Sequence, residues 1–249
     1  MNNTAKSFSI ILPTFNEAGH IRKLILEIYE IFNSKNVSFE IIVVDDDSTD
    51  GTIDIIEDLS RNYEKVSAII RKNKKKNLVA SINEGIFFSK NENIIWMDAD
   101  YSHPPTYLKK FVSENITKYD VVVFSRFLSD SERYFENKKT QPKLIDNLSI
   151  YLNRICKYFL YENFTDYSSG YICIKKKLLE SYQLKGYYGD YFIRLIVHCF
   201  NNKAKILELP YVELERSSGN SKTTHNKFDF FTKCINYLYA ILESVFKKK

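Results

Sequence analysis

Two stretches of the sequence decide the fold: FSIILPTFNE (residues 8–17) and EIIVVDDDSTDGT (residues 40–52). Each opens with a largely apolar run, 8–12 in the first and 40–44 in the second, and each run ends in a polar loop. Short apolar runs of this kind are typical of parallel strands that are buried on both faces. Between them, apolar residues recur at helical spacing over residues 19–33. The three segments together predict a β-α-β unit.

The alternation of strand and helix continues beyond this unit. We predict helices over residues 52–61, 78–89 and 105–117, and strands over 66–70, 94–97 and 121–125. Farther along the chain we predict a loop over 129–140, helices over 144–160 and 191–200, and extended segments over 171–174 and 206–215. This order is typical of a doubly wound α/β fold with a mainly parallel central sheet, in which ligands bind beyond the carboxyl ends of the strands.

The composition excludes several classes of protein. The 249 residues are 44% hydrophobic and 27% charged, which is typical of a globular domain and excludes a disordered chain or a multi-span membrane protein. The net charge of +5 is too small to indicate a nucleic-acid binder, and it suits a phosphorylated ligand or an anionic membrane face. The four cysteines form no CxxC pair, so we expect buried, reduced thiols. Because we find no signal peptide and no apolar segment of about 18 residues, we expect a cytoplasmic protein.

Acidic residues follow three of the predicted strands. They are Glu17 after the first, Asp45, Asp46, Asp47 and Asp50 after the second, and Asp98 and Asp100 after the strand at 94–97. Because the carboxyl ends of parallel strands meet at one edge of a sheet, we expect one crevice to collect them. Crowded carboxylates repel each other unless a cation or the hydrogen-bond donors of a ligand stabilise them. Asp50 also suits a second role, as the cap of the helix that follows it.

The sequence DADYSHPP (residues 98–105) indicates a cation site. Asp98 and Asp100 directly follow an apolar strand, and carboxylates spaced by one residue there can ligate one hard divalent ion together with phosphate oxygens. The chain contains neither a GxxxxGK(S/T) loop nor a GxGxxG loop, so it lacks these glycine-rich phosphate cradles. His103 suits either a ligand or a turn-shaping residue, and the two prolines after it favour the turn.

Six motifs, in order along the chain, resemble those of one enzyme family. They are PTFNE (13–17), VVDDDSTDGT (43–52), DADYSHPP (98–105), SRF (125–127), DYSSGY (166–171) and RSSGNSK (216–222). Together they are similar to the motifs of the inverting nucleotide-sugar transferases of family 2, which have the GT-A fold. Within that family the sequence most resembles the dolichyl-phosphate mannosyltransferase group and its bacterial polyprenyl-phosphate relatives. The chain departs from the family at Phe15, where relatives have tyrosine, and at Lys74–Lys76, where they have a glycine-rich segment.

The resemblance implies roles for individual residues. Those expected to hold the nucleoside are Pro13, Phe15, Glu17, Val44 and Asp46. Those expected to bind the diphosphate are Asp98, Ala99 and Asp100, with Asp98 and Asp100 as metal ligands for Mg²⁺ or Mn²⁺. Those expected to neutralise phosphates are Arg126, Arg216 and Lys222. Catalysis is expected to depend on Asp98, Asp100 and Arg126, and Asp190 lies where relatives with a hydroxyl acceptor place their catalytic carboxylate.

The resemblance also implies a reaction. It is the metal-dependent, inverting transfer of a hexose to a polyprenyl phosphate of the dolichyl type, with GDP-mannose as the favoured donor and UDP-glucose next. An acceptor phosphate is ionised at neutral pH and needs no general base, whereas a sugar hydroxyl needs one. The alternative is therefore an enzyme of surface-polysaccharide assembly that uses Asp190 as the base; the cationic segment 216–222 favours the phosphate. A third reading is a nucleotide-sugar-binding module without turnover, which the intact Asp98 and Asp100 disfavour.

We expect two parts in the chain, a catalytic domain over residues 1–225 and an amphipathic helix over 226–249. The helix carries an apolar stripe, Phe231, Ile235, Leu238, Leu242 and Val245, which is followed by Lys247–Lys249. The stripe suits either packing on the domain or contact with an anionic lipid surface. A lipid acceptor requires such contact or a membrane subunit, so we expect a peripheral location at the cytoplasmic face of the membrane.

Overall fold

The structure is a computed structural model that describes residues 6–35, 37–112, 116, 118–128, 143–214 and 227–248, with the backbone alone at 143–147 and 227–231. Within these residues the strands are β1 (Ser7–Thr14), β2 (Ser38–Asp45), β3 (Val66–Ile70), β4 (Asn93–Trp96), β5 (Val121–Ser125), β6 (Ile172–Lys175) and β7 (Ile206–Pro210). The helices are α1 (Ile21–Asn33), α2 (Thr52–Asn62), α3 (Leu78–Phe88), α4 (Leu108–Phe111), α5 (Lys143–Phe159), α6 (Asp190–Asn201) and α7 (Lys227–Lys247).

The described strands lie in one sheet with the order β3-β2-β1-β4-β6-β5-β7. β1 pairs in parallel with β2 on one side and with β4 on the other, and β2 pairs in parallel with β3. β6 is antiparallel to both β4 and β5, whereas β5 and β7 are parallel. The predicted α/β fold with a mainly parallel sheet is confirmed. The carboxyl ends of β1, β2 and β4 consequently share one edge.

Two predicted elements are shorter in the structure. The helix predicted over 105–117 is a 3₁₀ turn at Pro105–Tyr107 followed by the short α4, and residues 113–115 and 117 lie outside the described residues. The extended segment predicted over 206–215 ends as a strand at Pro210, which has no N–H to donate to a neighbouring strand. The loop predicted over 129–140 and the boundary predicted between residues 225 and 226 also lie outside the described residues.

Helices cover both faces of the sheet. On one face α1, α2 and α4 pack on a hydrophobic core, and on the other α3, α5, α6 and α7 pack on a second core. The amphipathic pattern of α1 is confirmed, because Ile21, Leu24, Ile25 and Ile28 are completely buried. In the second core the indole N–H of Trp96 donates a hydrogen bond to the hydroxyl of Tyr191 at 2.8 Å. This bond ties β4 to the first turn of α6.

Helix α3 lies very close to β1. A Cβ atom at Gly85 would lie 2.4 Å from Cγ2 of Ile11, so this position requires a residue without a side chain. The helix starts after Asn77, whose side-chain oxygen accepts a hydrogen bond from the N–H of Ala80 at 3.0 Å. The backbone N–H of Asn77 also donates to the side chain of Asp46, at 2.7 Å. The first turn of α3 is thereby held beside the carboxyl end of β2.

Three of the four cysteines are buried, as expected, and the fourth is not. Cys156, Cys173 and Cys199 are buried, Cys234 is partly exposed, and all four are free thiols. No helix among the described residues is long and apolar enough to cross a membrane.

Candidate active site

A pocket of about 430 Å³ lies at the carboxyl edge of the sheet. The predicted site residues that it brings together are Pro13, Phe15, Glu17, Asp46, Asp98, Ala99 and Asp100. The other residues that line it are Thr14, Lys76, Asn77, Leu78, Ser81, Ser168, Ser169, Gly170, Tyr187, Tyr188, Gly189, Tyr191, Phe192, Lys233 and Tyr237. A groove of about 890 Å³ along α1 is larger, but we assign the site to the smaller pocket because it contains the carboxylates that follow β4.

Asp45 fixes the loop that follows β2. Its completely buried carboxylate accepts hydrogen bonds from the hydroxyl of Thr14 at 2.9 Å, from the N–H of Ser48 at 2.8 Å and from the hydroxyl of Ser48 at 2.6 Å. Thr14 is the last residue of β1, so these bonds tie together the ends of two neighbouring strands. The hydroxyl of Ser48 also accepts a hydrogen bond from the N–H of Asn16 at 2.8 Å. Asp45 is therefore a structural member of the acidic run.

Asp46 forms a buried ion pair with Arg71, a residue that the sequence analysis did not single out. One carboxylate oxygen pairs with the guanidinium of Arg71, and the other accepts the hydrogen bond from Asn77. Burial raises the pKa of the Asp46 carboxyl, while the N–H of Asn77 and the charge of Arg71 act to lower it. Arg71 also contacts Glu84 at 3.2 Å and the hydroxyl of Ser81 at 3.0 Å. It therefore links the loop after β2 to α3.

Asp50 holds the start of α2, but the cap residue itself is Gly51 and not Asp50 as predicted. Its carboxylate accepts hydrogen bonds from the N–H and the hydroxyl of Thr52, at 3.1 and 2.6 Å, and from the N–H of Ala18 at 3.0 Å. Burial acts to raise the pKa of this carboxyl, but the hydrogen bonds outweigh it and lower the pKa. Asp50 is therefore engaged by the chain itself, as Asp45 and Asp46 are.

Asp98 and Asp100 lie in a tight turn after β4. The N–H of Asp98 donates to Nδ1 of His103 at 2.9 Å, and a carboxylate oxygen of Asp100 accepts a hydrogen bond from the N–H of Ser102 at 3.0 Å. The ring of His103 is buried and stacks on Tyr171, with ring centroids 4.8 Å apart. These contacts support the turn-shaping role for His103.

The carboxylates of this turn fit a divalent cation. Among the residues that the structure describes, no group of three or more His, Cys, Asp or Glu side chains is arranged to hold a metal ion. Mg²⁺ and similar ions often take only one or two carboxylates from a protein and complete their shell with water and substrate phosphates. Asp98 and Asp100 both line the pocket and supply two carboxylates, whose oxygen atoms are hard ligands.

Of the residues predicted to hold a nucleoside, all but Val44 line the pocket. Phe15 lines the pocket, and the ammonium group of Lys76 lies over its ring, 3.7 Å from the ring centroid. Glu17 lines the pocket as well, and its carboxylate lies 2.9 Å from Nε2 of His20. Val44 is completely buried in the second core, and its contact with a nucleoside stays a prediction.

Arg126 forms an ion pair inside the protein. Its guanidinium donates two hydrogen bonds of 2.9 Å to the buried carboxylate of Asp166 and one of 2.8 Å to the hydroxyl of Ser168. Burial acts to lower the pKa of Arg126, but Asp166 and Glu213 outweigh it and raise the pKa well above its usual value. Arg126 thus holds the segment that contributes Ser168 to the pocket. The other predicted phosphate ligands, Arg216 and Lys222, lie outside the described residues.

Asp190 is the first residue of α6 and is buried. One carboxylate oxygen accepts hydrogen bonds from the N–H groups of Tyr187 and Tyr188, at 3.1 and 2.9 Å, and the other lies 2.7 Å from the guanidinium of Arg194. Both oxygens are therefore engaged by neighbouring groups. Tyr187 and Tyr188 line the pocket, so Asp190 shapes its wall.

Several lining residues from the last third of the chain were not predicted from the sequence. Tyr187, Tyr188 and Gly189 precede α6, and Lys233 and Tyr237 belong to α7. The motif DYSSGY had pointed to Ser168–Gly170, but no motif marked the others. Their position depends on how α6 and α7 pack together, which no local pattern shows.

Comparisons with known proteins identify the family. Residues 9–183 match the sequence profile of Glycosyl transferase family 2, which is more than half of the chain. The chain belongs to this family. It is 28% identical over 214 residues to the dolichol-phosphate mannosyltransferase of Pyrococcus furiosus. That alignment covers 86% of this chain and 58% of the relative, so the chain spans less than two thirds of that protein's length.

Solved structures show that the fold is also known from other proteins. The chain is similar to the glucosyl-3-phosphoglycerate synthase of Mycobacterium tuberculosis in complex with Mn²⁺, UDP and glucosyl-3-phosphoglycerate, with a TM-score of 0.67 and 16% identity over 96% of this chain and 80% of that one. The complex of that enzyme with Mg²⁺ and UDP matches with a TM-score of 0.67 and 15% identity, over 96% of this chain and 79% of that one. The expected GT-A fold and the expected membership of glycosyltransferase family 2 are confirmed.

The ion pair of Asp46 and Arg71 predicts a large effect on stability. Arg71→Met should lower the free energy of unfolding by about 3–5 kcal/mol, because it leaves a buried carboxylate without its cation. Lys74→Met is the matched control, since Lys74 pairs with Glu84 at 3.1 Å but is 53% exposed, and it should cost about 0–1 kcal/mol. Chemical denaturation of the three proteins measures both values. Equal losses in the two variants would contradict the role of Arg71.

Proposed function

We propose that this family 2 member transfers a hexose from a nucleotide sugar to a polyprenyl phosphate, with a divalent metal and with inversion at the anomeric carbon. The observation that carries the proposal is the position of Asp98 and Asp100 in the pocket. The two aspartates follow β4, which lies between β1 and β6 in the sheet. On one side of them are the pocket residues that follow β1, and on the other side are Ser168–Gly170, which precede β6. A nucleotide sugar has its diphosphate in the same central place, between nucleoside and hexose.

The proposed nucleoside end lies around Phe15. Pro13 and Phe15 supply apolar surface for a base, and Lys76 adds a positive charge over the phenylalanine ring. Glu17 and Asp46 supply oxygen atoms that accept hydrogen bonds. The name of the Pyrococcus relative supports GDP-mannose as the donor, and the ligands named for the structural neighbours keep UDP-glucose as the second candidate.

Asp98 and Asp100 are the proposed ligands of Mg²⁺ or Mn²⁺. When bound, such an ion stabilises the negative charge that develops on a leaving diphosphate. Asp100 is only 4% exposed, and the hydrogen bond from Ser102 orients its carboxylate in the turn. The Mn²⁺ and Mg²⁺ complexes of the structural neighbours support a divalent metal for this fold in general.

The proposed transfer is a single displacement. An oxygen of the acceptor phosphate forms the new bond to the anomeric carbon from the face opposite the diphosphate. The bond between the anomeric carbon and the diphosphate oxygen breaks, and its electron pair leaves with the nucleoside diphosphate. Because the acceptor phosphate is already ionised at neutral pH, no side chain has to remove a proton.

The alternative, transfer to a saccharide hydroxyl, requires Asp190 as a general base. The contacts of Asp190 with Arg194 and with two backbone N–H groups hold its carboxylate in the wall of the pocket, which favours the phosphate acceptor. Arg126 is already paired with Asp166 and Glu213, so a phosphate that binds Arg126 must compete with these two carboxylates. Arg216 and Lys222 stay proposed phosphate ligands on the resemblance alone.

A lipid acceptor also requires contact with a membrane or a membrane subunit. Exposed apolar side chains occur on α5 (Leu148, Tyr151, Ile155, Tyr158 and Phe159) and on α7 (Ile235, Leu238, Tyr239, Leu242 and Phe246). Apolar surface of this extent marks interaction sites, and the exposed Lys247 and Lys248 at the end of α7 suit anionic lipid. We therefore propose peripheral attachment at the cytoplasmic face of the membrane, with α7 in contact with lipid.

The test is an incubation of the protein with Mn²⁺, a polyprenyl phosphate, and radiolabelled GDP-mannose or UDP-glucose in parallel. We expect label from one donor to appear in the organic extract, and to be absent when EDTA replaces Mn²⁺. Label in a saccharide product with none in the lipid would overturn the acceptor, and nucleotide binding without any transfer would favour a binding module.

Asp100→Asn tests the metal site. The variant should lose about 100-fold or more in kcat/KM, because it removes a charged ligand whose metal contributes several kcal/mol to the transition state. The control is Asp54→Asn, which removes an exposed acidic side chain of α2 and should leave the rate unchanged. Melting temperatures of both variants check the fold. Activity within about threefold of the unmodified protein in Asp100→Asn would exclude the metal role.

Asp190→Asn separates the two acceptors. If the acceptor is a phosphate, the variant should be less stable by about 1–3 kcal/mol, because the charge that faces Arg194 is lost, while kcat stays within a few-fold. Arg194 keeps its second partner, Glu243, at 2.6 Å. Thermal unfolding and initial rates measured below the melting temperature give the two quantities. A loss of several orders of magnitude in kcat with the fold intact would identify Asp190 as a base.

A further inference from the structure

Helix α7 is part of the wall of the pocket. Lys233 and Tyr237 lie one turn apart on this helix, and both line the same pocket as Asp98 and Asp100. The helix reaches the pocket because the residue opposite is a glycine: a Cβ atom at Gly189 would lie 2.2 Å from the hydroxyl oxygen of Tyr237. The C-terminal helix therefore contributes side chains to the site.

A network of charged groups fixes α7 to α6. The guanidinium of Arg194 lies 2.7 Å from Asp190 and 2.6 Å from Glu243 of α7. Asp190 in turn accepts the hydrogen bond from the N–H of Tyr188, and the ring of Tyr188 lies beneath the ammonium group of Lys233, 4.7 Å from its centroid. The same groups that join the two helices thus place Lys233.

Lys233 is a buried cation. Only 8% of the residue is exposed, which is rare for lysine because the removal of its charge from water is unfavourable without compensation. Among the pocket-lining residues that the structure describes, the basic ones are Lys76 and Lys233. Lys76 lies over the ring of Phe15 at the proposed nucleoside end, whereas Lys233 lies over the ring of Tyr188.

We propose that Lys233, with the hydroxyl of Tyr237, binds the phosphate of the acceptor. This inference rests on the proposed function and assigns to the acceptor a part of the site that no motif marks. An ammonium group and a phenol are both hydrogen-bond donors that suit phosphate oxygens.

The opposite face of α7 fits the rest of such an acceptor. At 100° per residue, Lys233, Tyr237, Ala240 and Ser244 fall on one side of the helix, and Ile235, Leu238, Leu242 and Phe246 fall on the other. Ala240 and Ser244 are buried, whereas Phe246 is 87% and Leu242 60% exposed. One helix therefore presents cationic and phenolic donors to the pocket and an apolar face outward, the two chemistries that a polyprenyl phosphate combines.

The test uses the full chain with farnesyl phosphate, a short and soluble polyprenyl phosphate, and the labelled donor that the unmodified protein accepts. Lys233→Met keeps most of the apolar stem and removes the charge. It should raise the KM for farnesyl phosphate about 10- to 100-fold, which corresponds to the loss of one charge-assisted hydrogen bond. The KM for the donor should stay unchanged. Lys233→Arg should recover most of the loss. Lys185→Met, which removes an exposed lysine ahead of α6, should change neither constant.

Tyr237→Phe is the second variant, and it removes a single oxygen atom without a change of shape. It should raise the acceptor KM several-fold in the same direction, so the proposal is tested even if Lys233→Met does not fold. An unchanged acceptor KM in both variants, or an equal rise in the KM of the donor, would overturn the proposal. If the unmodified protein transfers no sugar, the proposed function fails instead. Calorimetric titration with farnesyl phosphate, with farnesol as the control, then shows whether Lys233 binds a phosphate at all.

Discussion

The parallel pairing of β1 with both β2 and β4 brings the acidic ends of three strands to one edge of the sheet. Carboxylates that are crowded at one edge repel each other and would destabilise the fold, so this edge depends on groups that offset their charge. The chain supplies several of them: hydroxyl and N–H donors around Asp45, the guanidinium of Arg71 for Asp46, and the start of α2 for Asp50. Asp98 and Asp100 line the pocket itself, where the proposed divalent cation would offset their charge and that of a donor's diphosphate.

The same pocket is lined by residues from separate parts of the fold, some within the family profile and some after it. The family profile ends at residue 183, yet the pocket is closed by Tyr187–Gly189 and by α7. The links between these parts are short and specific: Trp96 with Tyr191, Arg194 with both Asp190 and Glu243, and Gly189 with Tyr237. In the proposed arrangement the residues after β1 and β2 would bind the nucleoside, and the residues around α6 and α7 would bind the acceptor. The exposed apolar face of α7 then places the acceptor end of the pocket beside the surface proposed to contact lipid.

Much of the fold could be predicted from the sequence because its strands and helices carry strong local patterns. The buried run at 8–12 and the helical stripe of α1 are examples, and the motif DADYSHPP placed the two carboxylates that line the pocket. The partners of charged residues could not be predicted in this way. Asp46 pairs with an arginine 25 residues away and Arg126 with an aspartate 40 residues away, and only tertiary packing brings such groups together. Lys233 and Tyr237 were missed for the same reason, since the stripe of α7 showed its apolar face but not which polar residues face the site.

The most direct test of this account is calorimetric titration of the protein with GDP and with UDP, each in the presence and absence of Mn²⁺. The account predicts that one nucleotide binds in the pocket at the carboxyl edge, and that Mn²⁺ strengthens its binding at least about tenfold, because Asp98 and Asp100 would hold the ion and the ion would offset the charge of the diphosphate. Binding of neither nucleotide, with or without Mn²⁺, would contradict the assignment of this edge as the donor site.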